Sequence, residues 1–196
     1  MDSLLFIGLG AALVVFFGYV RRRMWSFVAQ KPEDYADGTP QFDLRTHLNG
    51  SIICEGVIYG PLGRVTSRFV GEFEAKWQGN VGVMKEHFRY DTGSEQKREW
   101  NLRIGNDGRI QATAPDVVGT GTGAMLGSAV QLQYKIKLPE DSGGHVLDTV
   151  DWMYLAPNGS IVNRSQFRKF GIQVAELVAT MRPREARDIT PTQDAA

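Results

Sequence analysis

The sequence predicts an all-β domain, an antiparallel up-and-down barrel or strongly curved half-barrel, carried behind one N-terminal transmembrane helix. Three observations predict it. Apolar and polar residues alternate with a period of two over most of the chain after Ile52. Turn signatures break that alternation at near-regular spacing and leave no room for crossover helices, so consecutive strands pair. Residues 3–20, SLLFIGLGAALVVFFGYV, are apolar or small without interruption and stop at Arg21, Arg22 and Arg23.

At about 1.5 Å of rise per residue that run makes a helix of roughly 27 Å, close to the hydrocarbon thickness of a bilayer. Only Met1 and Asp2 precede it, whereas a cleaved signal peptide carries positive charge ahead of its apolar stretch. By the positive-inside rule the three arginines stay cytoplasmic. The expectation is a single-pass protein of a bacterial inner membrane with a cytoplasmic soluble domain, a periplasmic domain being the alternative. Residues 1–23 form the anchor and 24–41, which include QKPEDYADGTP, read as a linker. Residues 42–181 form the barrel domain. Residues 182–196 carry two prolines and almost no hydrophobic residue, the composition of a disordered tail.

Within the domain FDLRTHL, from Phe42, can make one or two helical turns before Asn49-Gly50 turns the chain. Val65, Phe69, Phe73 and Trp77 then alternate with Thr66, Arg68, Glu72 and Lys76. After Gln78-Gly79-Asn80, Met84, Phe88 and Tyr90 oppose Lys85, His87 and Arg89, which makes a hairpin. Trp100, Leu102 and Ile104 alternate with Glu99, Asn101 and Arg103 ahead of the hairpin signal Asn106-Asp107-Gly108. Val130 to Leu138, Val146 to Leu155, Ser160 to Phe167 and Ile172 to Met181 complete nine or ten strands. A sheet that long with one apolar face closes to remove its edges, and barrels of this size hold small ligands as lipocalins do.

Composition excludes several functions. Formal net charge is zero, without the basic field that nucleic-acid binding needs. Cys54 is the one cysteine, so no internal disulfide forms. His47, His87 and His145 lack ligand spacing, and neither a metal site nor a cofactor is expected. The glycines from Gly119 to Gly127 lack the helix start of a phosphate loop and read as turns, bulges or close backbone approach. No Gly-x-Ser-x-Gly elbow occurs, and no catalytic residue is assigned.

The least regular stretch is Asp148 to Gly171, where polar residues interleave with aromatics. For a hairpin turning at Asn158-Gly159, facing residue numbers sum to about 317, which sets Tyr154 opposite Asn163 and Trp152 opposite or diagonal to Ser165. Polar groups among aromatics must be paired if buried, or serve a ligand if they line a cavity. The candidate ligand-binding residues are therefore Trp77, Phe88, Trp100, Trp152 and Tyr154 for apolar contact, with Asp148 and Asn163 beside them. Arg98 or Arg164 could meet a carboxylate or phosphate headgroup. The expected function is a membrane-tethered, non-enzymatic barrel that binds a membrane lipid or other apolar small molecule. The alternatives are a lipid-modifying enzyme or isomerase using Asp148, Asp151 or Glu176 as acid or base, and a scaffold for a protein partner.

The segments FDLRTHLNG, RFVGEFEAKWQGNVGVMKEHFRYDTGS, DVVG ending at Gly119, and DWMYL followed by NRSQFRKFG stand in an order that resembles the bacterial domain of unknown function 3833 family. The resemblance covers Phe42 to Met181 and brings no catalytic residue with it. Many members resemble lipoproteins delivered to the periplasm; this chain has a helical anchor with trailing arginines instead. Relatives are often encoded near fatty-acid-modifying and carotenoid or light-stress genes, and the resemblance therefore implies a lipid connection.

Overall fold

The computed structural model describes residues 2–184; the expected tail lies outside them except for its first three residues. Helix α1 spans Asp2–Met24, and its segment Ser3–Arg21 is long and apolar enough to cross a membrane, as a membrane anchor or a signal sequence would be. A four-residue helix α2, Leu44–His47, is capped by the Asp43 carboxylate, which accepts from the Arg45 N–H at 2.9 Å.

Ten strands follow: β1 Gly50–Tyr59, β2 Val65–Gln78, β3 Val81–Tyr90, β4 Glu95–Ile104, β5 Arg109–Thr113, β6 Gly121–Leu126, β7 Ala129–Lys137, β8 Val146–Leu155, β9 Ile161–Lys169 and β10 Ile172–Pro183. Each pairs antiparallel with its sequence neighbour, and β1 closes on β10, with Cys54 facing Met181. The up-and-down barrel is thus complete. No sheet edge is left among these strands. Arg182 and Pro183 belong to β10 and pair with Ile53 and Ile52.

Side chains of one parity point inward along each strand. Ile52 and Cys54 do so on β1, Phe69 and Phe73 on β2, Leu132, Tyr134 and Ile136 on β7, and all are buried. The glycine-rich segment builds β6, where a Cβ on Gly123 would stand 2.0 Å from the Gln131 carbonyl oxygen. Those glycines serve close backbone approach, and side chains there would push β6 off β7.

The two ends of the barrel differ. At the end where β1 begins, Phe42, Leu44 and Leu48 are buried as a plug, and the Trp77 indole donates to the Leu48 carbonyl at 2.8 Å. At the other end the β1–β2, β3–β4, β7–β8 and β9–β10 turns surround a mouth.

Residues expected as a linker are fixed to the outer wall. Phe27–Ala29 and Pro32–Tyr35 form short 3-10 turns. The Tyr35 ring lies 5.3 Å from both Trp152 and Tyr154, whose rings stack on each other at 5.9 Å. The Tyr154 hydroxyl donates to Gln30 Oε1 at 2.8 Å, and Phe27 sits under the Arg164 guanidinium at 4.7 Å. Gly127 must be glycine here, because a Cβ would fall 1.8 Å from the Tyr35 carbonyl oxygen. We call residues 27–40 the strap.

Candidate functional site

The barrel is hollow. Its cavity of about 750 Å³ is walled by Phe69, Phe73, Phe88, Trp100, Leu132 and Leu177 among others, and floored by Leu44 and Leu48 of the plug. That volume falls inside the range of roughly 300–1,000 Å³ usual for small-molecule sites. Phe69 packs edge-on to Phe88 at 5.4 Å and tilted to Tyr90 at 6.0 Å, and Phe88 and Tyr90 stack at 6.3 Å, forming an aromatic wall toward the mouth.

Into this apolar space project a few charged and polar groups. Arg98 comes from β4, on the same parity as Trp100 and Leu102. Asp116 reaches it from the β5–β6 connection, and the pair is bidentate: Arg98 Nε donates to Asp116 Oδ1 at 3.0 Å and Nη2 to Oδ2 at 2.6 Å. The guanidinium face lies 4.9 Å over Trp100. Asp151 enters from β8, where Ser165 donates to its Oδ1 at 2.7 Å and Asn163 to the same oxygen. Oδ2 has no protein partner among the described residues. Asp151 retains accessible surface although it stands deep in the barrel, because that surface belongs to the cavity.

Glu86 is the least expected member. It occupies an inward position of β3 between Met84 and Phe88, is 8% exposed, and its Oε2 makes no hydrogen bond. Burial pushes its carboxyl up to about 7, with Arg98 and the Trp100 indole opposing and Asp151 and Asp116 reinforcing the rise. Asp151 is also raised, by burial first, against the pull of Ser165 and Asn163. Burial likewise raises the Tyr134 hydroxyl and the Cys54 thiol, so both stay neutral at physiological pH.

The Glu86 shift has a definite sign in folding. Its folded value exceeds the ordinary 4.5, so the native state holds the extra proton between 4.5 and about 7 and loses stability as pH rises through that window. Replacing Glu86 by glutamine should leave stability unchanged near pH 4 and raise it by up to about 3 kcal/mol above pH 7. Denaturant titration of the full chain in detergent at the two pH values checks this.

The candidate residues divide by face. Phe88, Arg98, Trp100 and Asn163 line the cavity. Trp77 packs at the plugged end. Trp152, Tyr154, Asp148 and Arg164 point outward: the first two lie under the strap, Asp148 pairs with Lys135, and Arg164 with Glu176 at 3.1 Å. The reason is register. Facing residues of β8 and β9 sum to 316, with Met153 opposite Asn163 and Tyr154 opposite Val162. The turn is closed by the Ala156 N–H donating to the Ser160 carbonyl, and a one-residue difference exchanges the two faces. Of the three carboxylates considered as acid or base, only Asp151 reaches the interior. Glu86, Asp116, Tyr134 and Ser165 were not among the candidates. The signal for Glu86 was a charge on the apolar parity of its strand, and Asp116 opens the DVVG segment.

The family model described as "Protein of unknown function (DUF3833)" matches residues 22–183, from the end of α1 through β10. The chain belongs to this family. Among curated proteins nothing matches. Among solved structures, Rv2717c from M. tuberculosis is 15% identical, with a TM-score of 0.53 over 76% of this chain and 100% of its own. The S-type phycobiliprotein lyase CPES from Guillardia theta is 6% identical, with a TM-score of 0.54 over 80% of this chain and 99% of its own. At such identities the likeness is one of fold. This member of the family therefore shares its fold with a phycobiliprotein lyase.

Proposed function

We propose that this family member is a membrane-tethered barrel that takes up an apolar small molecule or lipid from the bilayer surface and holds it in the central cavity. The observation that carries the reading is the hollow, aromatic-walled interior, since a barrel serving only as a scaffold has no need to forgo close packing. The likeness to a phycobiliprotein lyase supports small-molecule binding as a use of this fold. The outer aromatic pair Trp152 and Tyr154, which a scaffold could offer to a partner, is covered by the chain's own strap.

The position of the mouth supports delivery from the membrane. Followed back from the plug, the strap passes the β6–β7 turn at Ser128, then Tyr154, then Arg164, climbing the wall toward the mouth before it joins α1. At the mouth the adjacent β1–β2 and β9–β10 turns expose Leu62 (87%), Phe170 (92%) and Ile172 (71%). Phe170 holds a positive φ of 51°, a conformation that costs energy in a residue with so little burial to offset it. Arg64 and Lys169 flank these tips, as suits anionic headgroups. The cytoplasmic face of a bacterial inner membrane remains the side we favour, on the charge rule.

Two measurements test the reading. Lipid extracted from the purified full chain should contain a stoichiometric apolar molecule by mass spectrometry. A Leu62→Asp, Phe170→Asp variant should take a fluorescent apolar probe from liposomes about tenfold more slowly, while its affinity for the same probe in micelles stays within a factor of about two. An unchanged rate would remove the mouth from the account.

One observation favours an acid–base enzyme as a second reading: Glu86 sits in an apolar cavity with its carboxyl near neutrality, poised to give or take a proton. Incorporation of solvent deuterium into a bound unsaturated lipid, lost in Glu86→Gln, would establish it.

A further inference from the structure

The polar lining of the cavity is one-sided. Glu86, Glu95, Asp116 and Asp151 line it against two cations, Arg98 and Lys137. Arg98 is engaged: two of its three nitrogens are bound to Asp116 and its face rests on Trp100. The other cation first considered for a headgroup, Arg164, lies on the outer wall against Glu176. Lys137 is paired with Glu140 at 2.9 Å, so among the described lining residues both cations are engaged, and a carboxylate or phosphate entering the cavity would meet two acceptors, Glu86 and Asp151. Those acceptors are incomplete. Glu86 is 8% exposed with Oε2 unpartnered, and Asp151 has both of its donors on Oδ1. A buried acceptor without a donor costs about 1–3 kcal/mol, and a ligand that supplies an N–H or O–H recovers that cost.

We infer that the cavity selects an apolar molecule whose polar end donates hydrogen bonds, an amine or an alcohol and not a carboxylate, seated between Glu86 and Asp151. The inference rests on the proposed binding function and names the ligand chemistry within it. Approach from the mouth brings the apolar body against Phe69, Phe88 and Tyr90. The polar end passes Arg98 and Asp116, and reaches Asp151 with Asn163 and Ser165 behind it. The same acceptors explain why Arg98 needs Asp116: paired, it leaves Glu86 and Asp151 as the groups a ligand can satisfy. The raised carboxyls of both residues agree with a site that accommodates a proton more readily than an added negative charge.

Three probes of matched apolar body separate the possibilities: 1-naphthylmethylamine, 1-naphthylmethanol and 1-naphthoate, titrated calorimetrically into the full chain in detergent at pH 7.5 with empty micelles subtracted. The amine should bind at least about tenfold more tightly than the carboxylate, with the alcohol between them. In the Glu86→Gln, Asp151→Asn variant, checked for folding by circular dichroism, the amine-to-carboxylate ratio should fall to within about threefold. Should a stable double variant be unobtainable, each single substitution should narrow the ratio part of the way. Carboxylate binding equal to or tighter than the amine overturns the inference and leaves the cavity reading intact. Failure of all three probes to bind overturns the cavity reading, and the inference with it.

Discussion

Replacing Asp116 by alanine is expected to destabilise the barrel by about 3–5 kcal/mol, because it strips the partner from a charge that cannot leave. The Arg98 side chain is 12% exposed, projects from the middle of a continuous strand, and is held at 2.6 Å by Asp116. Arginine cannot shed its proton at any relevant pH. Glu86 lies close enough to influence the guanidinium electrostatically, and in the variant it should ionise more readily, its carboxyl falling from about 7 back toward the ordinary range. That substitution of one carboxylate for another limits the loss. A second change should reverse most of it: Arg98→Met added to Asp116→Ala removes both charges, and such replacements are often neutral. Denaturant melts of the single and double variants check both statements. Equal loss in the two would mean that the β5–β6 connection, and not the charge, is what Asp116 supports.

Replacing Trp152 by alanine is expected to cost a similar amount, about 3–5 kcal/mol, for a different reason. Trp152 is wholly buried although it stands on the outside of the barrel, between the Tyr35 ring at 5.3 Å and the Tyr154 ring at 5.9 Å. Its removal opens a cavity between wall and strap. The strap should then detach locally, since its other attachments are the Tyr35–Tyr154 ring contact, a few hydrogen bonds and one cation–π contact at Phe27. Limited proteolysis should cut within residues 27–40 of the variant at a dilution where the native chain resists. Phenylalanine at 152 should keep most of the protection. If the alanine variant resists as well as the native chain, the strap is not held by this residue.

The barrel was legible in the sequence because one face of nearly every strand is apolar, and that period of two survives any single exception. The exceptions include the charged residues that line the cavity. Glu86 stands on the parity of Met84 and Phe88, and a charge on an inward face is the mark of a group that either pairs or meets a ligand. Arg98, considered as a headgroup partner, and Asn163, a polar residue among aromatics, both line the cavity. Trp152 and Tyr154 were counted among the ligand-binding residues with a hairpin at Asn158-Gly159 whose facing numbers sum to about 317; the sum is 316, and a slip of one exchanges inner and outer faces. The closed turn from Ala156 to Ser160 decides that register through hydrogen bonds, which composition does not reveal. Asp116 was not accessible to periodicity at all, since it lies between strands. The strap's docking was hidden for a related reason: a polar, proline-bearing segment looks like a linker, and a few residues in it, Tyr35, Gln30 and Phe27 among them, carry the contacts that fix it.

The most direct test is whether the cavity binds. A fluorescent apolar probe should bind the full chain in detergent with a stoichiometry of about one per barrel, in line with a cavity of about 750 Å³ that holds one drug-sized molecule. Leu177→Trp places an indole into that space from β10 and should abolish binding while the fold persists by circular dichroism. Saturable binding lost in this variant is the expected result; no binding by the native chain, or equal binding by the filled one, would refute the cavity as the site.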